Sequence, residues 1–156
     1  MHSIVFVCTG NICRSPMAEY MLRDLLGDES DWQVGSAGVI AGRGMGASKV
    51  AVDAMKEIDI DLCPHRSRPL LQDLVDDAEL IVVMTASHRD QLRTLFPEDS
   101  DKVYLLKSFV EGKGDDVEDP IGLNIDAYRA VRVQIEQALP GLMEFMKQIT
   151  AREEQA

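Results

Sequence analysis

The chain has 156 residues, of which 46% are apolar, and it carries a net charge of −11. That is enough chain for one domain with a two- or three-layer core. So acidic a chain is repelled by nucleic acid and by anionic membrane surfaces, and no run approaches the roughly 18 apolar residues of a membrane span. Three cysteines, an odd number, fit a reducing compartment better than a secreted disulfide framework. Met1-His2-Ser3 lacks the positive start of a signal peptide, so a cytoplasmic protein is expected.

Along the chain, strand and helix signals alternate. Ile4–Cys8 is almost wholly apolar, as expected of a strand buried on both faces. Pro16 suits the first turn of a helix, which runs to about Leu26 and stops at Gly27. Trp32–Ala37 reads as a second strand, ended by Gly38. Gly42, Gly44 and Gly46 mark a loop before a helix over Ala47–Ile58. Leu80–Met84 is the third strand, Ser87–Leu95 a helix closed by Pro97, and Val103–Leu106 a short fourth strand.

Phe109–Gly122, with three glycines and many acids, reads as a loop. Asp126 is the expected N-cap of a last helix over about Ala127–Ile149, with Pro140 as a kink point. The domain is expected over residues 1–150, with 151–156 as a polar, fraying tail. No repeat or linker interrupts it. Four strands alternating with helices imply an α/β domain with a four-stranded parallel sheet between helical layers. Ligands of such sheets bind at the carboxyl ends of the strands, which is where Cys8 falls.

Cys8-Thr9-Gly10-Asn11-Ile12-Cys13-Arg14-Ser15 joins the first strand to the first helix. This places a thiol, a turn of backbone N–H groups, a helix N-terminus and a guanidinium around one point, an arrangement suited to phosphate or carboxylate. A free cysteine, with a pKa near ~8.5, is mostly thiol at neutral pH. The same donors, with the Ser15 hydroxyl, favour the nucleophilic thiolate. A small buried cysteine at a strand end would not need Gly10, Asn11, Arg14 and Ser15 at these offsets. The net charge opposes a phosphorylated substrate unless the pocket is locally positive. Arg14, Arg43, Arg66 and Arg68 are the candidates for that local charge.

Val117-Glu118-Asp119-Pro120-Ile121 supplies a carboxyl beside a proline. Proline restricts its own φ and the residue before it, so the acid is held. Cleaving a phosphate ester needs a proton for the leaving oxygen, then a base to activate water on the phosphocysteine; one carboxyl serves both. On its own, Asp-Pro in an acidic loop would be a turn.

Cys-x5-Arg-Ser at the start, Ser-Ala-Gly at 36–38 and Asp-Pro at 119–120 together resemble the low-molecular-weight protein tyrosine phosphatases, in order and spacing over essentially the whole chain. The resemblance implies a flavodoxin-like phosphatase fold, no cofactor or metal, phosphorylated protein substrates, and inhibition by phosphate and other oxyanions. It makes Cys8 the nucleophile, Arg14 the phosphate clamp, Ser15 the hydroxyl that eases thiolate departure and Asp119 the general acid and then base. Asn11, Ser36 and His65 match the polar network that shapes the loop. Cys13 matches a second loop cysteine able to trap an oxidised nucleophile as a disulfide, and equally reads as a small packing residue. Cys63 reads as structural.

The tyrosine-specific members flank the pocket with aromatics. Here Ile121, Gly122 and Gly42 stand in those places, with Ile40 nearby, leaving an aliphatic slot that grips a ring by area burial. A bacterial subgroup that dephosphorylates arginine also resembles the chain, but carries threonine where Ile12 stands. Isoleucine offers a guanidinium no hydroxyl, so phosphotyrosine is the expected substrate and phosphoarginine the alternative. Arsenate reductases of this fold need further cysteines after the third strand, and 84–95 has none. His2, His65 and His88 show no metal-ligand spacing.

Overall fold

The computed structural model describes residues 1–110 and 115–155. Four parallel strands, β1 (His2–Cys8), β2 (Trp32–Gly38), β3 (Leu80–Val83) and β4 (Val103–Leu105), form one sheet in the order β2-β1-β3-β4. The helices are α1 (Arg14–Leu26), α2 (Lys49–Lys56), α3 (Gln72–Asp77), α4 (Ala86–Leu95) and α5 (Ile125–Glu154).

Side chains alternate across β1, which is flanked by strands on both sides. Ile4, Phe6 and Cys8 enter a core shared with α1, α2 and α5, while Val5 and Val7 enter a second core with α3 and α4. The sheet is therefore the middle of three layers, as expected. Each fully buried Ile, Val or Phe contributes roughly 1.5–3 kcal/mol. Strand order reverses beside β1, which puts the carboxyl end of β1 at the crevice where such sheets bind ligands.

Several boundaries differ from the sequence expectation. The helix after the glycine-rich segment is Lys49–Lys56 rather than Ala47–Ile58, because Ser48 caps it by accepting from the Ala51 N–H. The N-cap of α5 is Asn124, not Asp126. Asp126 sits in the first turn, pairs with Arg129 and complements the helix dipole. Pro140 lies inside this continuous helix, and residues 151–154, expected to fray, extend it. Helix α3 and the 3₁₀ segments Pro97–Lys102 and Leu106–Phe109 were not expected. Of the loop expected over 109–122, residues 111–114 lie outside the described residues, as does Ala156. No helix among those described is long and apolar enough to cross a membrane.

Candidate active site

β1 ends at Cys8 and α1 begins at Arg14, so residues 9–13 turn through the crevice. Ser48, Thr85 and Asn124 cap α2, α4 and α5 with side-chain oxygens, whereas Cys13 at the N-cap of α1 makes no side-chain capping bond. The first-turn N–H groups of α1 thus stay available to an anion, favoured by the helix dipole.

Asn11 holds the turn. Its φ is +57°, a conformation asparagine tolerates better than most residues. Its buried Nδ2 donates to Ser15 Oγ (2.8 Å) and Ser36 Oγ (2.9 Å), and its Oδ1 accepts from the Arg68 backbone N–H (3.0 Å). His65 Nε2 donates to the Asn11 carbonyl at 2.7 Å, and burial pushes the His65 pKa down, keeping the ring neutral. The side-chain amide of Asn11 is fully engaged. Ser15 Oγ accepts one of these bonds, and its own proton has Cys8 Sγ at 2.8 Å as a nearer acceptor than the Ala37 carbonyl at 3.5 Å.

The sequence does not disclose Glu19's part in this network, and it points Arg68 to a different role. Ser36 donates to the buried carboxylate of Glu19, which pairs with Arg23 at 2.6 Å. Glu19 lies one helical turn beyond Ser15, and only the spacing hinted at a shared face. Arg68 was expected as positive charge for the pocket; instead its Nε donates to the Ser36 carbonyl. Arg66 is taken up by the carbonyls of Cys63 and His65, and Arg43 is exposed. Of the four arginines, Arg14 alone belongs to the loop.

Ser-Ala-Gly at 36–38 also has a physical reason. A Cβ on Gly38 would stand 2.6 Å from the Thr9 carbonyl oxygen and 3.0 Å from the Asn11 nitrogen. Thr9 and Cys8 carbonyls accept from the Ile40 and Val39 N–H groups, so β2 runs directly against the loop.

Arg14 is 3% exposed. Its Nη1 donates to the Val117 carbonyl at 2.8 Å, Nη2 lies 3.7 Å from Asp119 Oδ2, and Nε has no protein partner. The same arginine therefore meets both the cysteine loop and the acid segment. Asp119, 44% exposed, accepts from the Ile121 N–H at 3.1 Å, and Pro120 behind it is buried. The segment is anchored upstream: Val117 is buried and donates to the Met84 carbonyl, and Asp116 accepts from the Ala86 N–H, both at 2.8 Å. A cleft of about 770 Å³ lies along it, lined by Lys107, Asp115, Glu118, Asp119, Leu123 and Gln134 among others.

Cys13 has Ser48 Oγ and Tyr128 Oη each at 3.4 Å, and burial raises its pKa, the setting of a weakly reactive thiol. Burial likewise pushes Tyr128 up to about 12. Cys63, read as structural, is exposed, so a packing role is not what the fold gives it. Ile12 is half-buried against the core, while Ile40 and Ile121 are 76% and 50% exposed. One group of metal-type donors occurs among the described residues: His2, Glu79 and Glu153. It stands at the start of β1, the opposite end of that strand from Cys8.

Residues 3–155 match the low molecular weight phosphotyrosine protein phosphatase family. A protein-arginine-phosphatase of Geobacillus stearothermophilus is 43% identical over 145 residues, covering 92% of this chain and 95% of that one. A mutant of YwlE from Bacillus subtilis superposes with a TM-score of 0.88 at 39% identity, over 94% of this chain and 99% of that one. The tyrosine phosphatase Wzb from Escherichia coli, solved with sulphate, superposes at 0.84 with 32% identity, over 92% and 97%. With the fold, the Cys8–Ser15 loop and these matches in agreement, the chain belongs to the low molecular weight phosphotyrosine protein phosphatase family.

Proposed function

We propose that the protein is a cytoplasmic phosphatase of phosphotyrosine in proteins, working through a phosphocysteine at Cys8. The observation that carries this reading is the meeting of four groups. Ser15 Oγ is 2.8 Å from Cys8 Sγ, and Arg14 spans from the loop to within 3.7 Å of Asp119. The phosphoryl group binds the loop N–H groups and Arg14, whose planar fork suits its oxygens. The Cys8 sulfur forms a bond to phosphorus as the bond to the leaving oxygen breaks, and Asp119 gives that oxygen its proton. Asp119, now a carboxylate, takes a proton from water. The water oxygen attacks phosphorus, phosphate leaves, and the Ser15 hydroxyl supports the departing thiolate.

Ile12 supports tyrosine over arginine: it is an apolar wall with no hydroxyl to meet a guanidinium, whose buried N–H groups would go unpaired. Ile40 and Ile121 add exposed aliphatic surface for a ring. A second reading, phosphoarginine, is supported by the 43% identity to a protein-arginine-phosphatase and by the single apolar residue and glycine after Asp-Pro. Arsenate reduction lacks its relay, since α4 holds no cysteine. The test compares phosphotyrosine and phosphoarginine peptides on wild type and Ile12→Thr. Wild type should prefer phosphotyrosine and the variant should gain phosphoarginine turnover; a wild type preferring phosphoarginine overturns the assignment.

A further inference from the structure

The Asn11 network supports one side of the cysteine loop. The other side has a different support. Thr9 Oγ1 lies 2.8 Å from His88 Nε2, and His88 is 4% exposed in the first turn of α4. Its backbone N–H donates to Thr85 Oγ1, the cap of that helix. The neighbouring Ala86 N–H donates to Asp116, and Val117 donates to the Met84 carbonyl and accepts from Arg14. The start of α4 is thus tied to both the nucleophile loop and the segment that carries Asp119.

His88 Nδ1 is buried with no partner. An orphaned buried N–H is rarer than an unused lone pair, which assigns the ring proton to Nε2, donated to Thr9 Oγ1. The charged groups that act on the ring are Arg14, Asp116 and Asp119. Burial first, and then Arg14, push its pKa down to about 4, so the ring is neutral at working pH. An imidazolium there would set a second cation beside Arg14.

We propose that His88 is a positioning residue: through Thr9 it fixes the outer wall of the phosphate loop and keeps that wall in register with the acid segment anchored on the same helix start. This rests on the Cys8 reading above. It goes beyond that reading by adding a support that sequence spacing did not disclose.

Four variants test it: His88→Ala, His88→Gln, Thr9→Val and the double His88→Ala with Thr9→Val. Four quantities are read: kcat and KM for p-nitrophenyl phosphate, the inhibition constant of inorganic phosphate, and the pH profile of Cys8 alkylation by iodoacetamide. His88→Ala and Thr9→Val should each raise the phosphate inhibition constant and lower kcat/KM by about tenfold, roughly the loss of one directed hydrogen bond. The alkylation profile should move to higher pH, a response that a merely structural loss elsewhere would not produce. The double variant should be no worse than His88→Ala, because both remove one bond. His88→Gln, whose amide reaches the same hydroxyl, should stay within about threefold of wild type.

Wild-type phosphate inhibition and alkylation in a folded Thr9→Val variant would overturn the proposal, as would losses that multiply in the double variant. Should His88→Ala fail to fold, Thr9→Val, nearly isosteric and half-buried, decides alone. Full activity of Cys8→Ser would instead refute the site reading itself, so the two failures are distinguishable.

Discussion

The loop from Cys8 to Ser15 is walled in, whereas the described acid segment from Asp115 to Leu123 is mostly open to solvent. In the first, Asn11, Arg14 and Ser15 are buried and Asn11 is bonded on every side-chain polar atom. In the second, Val117 and Pro120 are the buried anchors and Asp119 projects between them, nearly half exposed. The difference suits the chemistry proposed above. A nucleophile and its anion site gain from fixed dipoles, because no reorganisation is then needed as charge develops. A carboxyl that must meet first a leaving group and then water needs a held base and a free tip. Arg14 is the hinge of the comparison, since its two ends touch both regions.

The largest expected effect is on the walled-in side. Cys8→Ser should lower turnover of p-nitrophenyl phosphate by at least ~10³-fold, the loss of the nucleophile itself. Activity near wild type would refute that role. Asp119→Ala should slow substrates with poor leaving groups by about 10²- to 10⁴-fold while barely affecting good ones. A leaving-group series measures this, and equal slowing across it would contradict the acid role.

Stability separates the two regions next. Asn11→Ala leaves Ser15, Ser36 and the Arg68 N–H without a shared partner and should cost about 3 kcal/mol in urea unfolding. Asp119→Ala, exposed, should stay within about 0.5 kcal/mol of wild type. Similar costs for both would erase the contrast drawn here.

A pH dependence of stability comes last. His88 ionises at about 4 when folded and at its ordinary value of 6.5 when unfolded. Above pH 6.5 the ring is neutral in both states, so its protonation takes no stability there. As pH falls towards 4, the unfolded chain takes up the proton first and stability is lost. His65, also pushed down, adds in the same direction. The melting temperature of wild type should fall over this window more steeply than that of His88→Gln. Parallel curves would contradict the burial of a neutral ring.

How much of this was legible depended on whether the signal was local. The strands stood out because Ile4–Cys8 and Leu80–Met84 are apolar runs buried on both faces. Helix α3, six residues with Val75 alone buried, has too little periodicity to announce itself. Asn124 and Asp126 are both capping types, and only the fold shows which one receives the Ala127 N–H. Within the site, the contiguous Cys8–Ser15 stretch was legible as the connection between β1 and α1. Glu19, Arg68, His88 and Tyr128 could not, because their partners lie far off in sequence or their chemistry is common elsewhere. Arg68 illustrates the limit: its charge suggested the pocket, while its backbone N–H and guanidinium serve Asn11 and Ser36.

The most direct test of the account is to trap the intermediate. Asp119→Ala protein is mixed with a good-leaving-group phosphate ester, quenched rapidly, digested and read by mass spectrometry. The account predicts a phosphoryl group on Cys8, accumulating because its hydrolysis lacks the base. Turnover with no phosphorylated residue, or with the phosphoryl group elsewhere than Cys8, would contradict it.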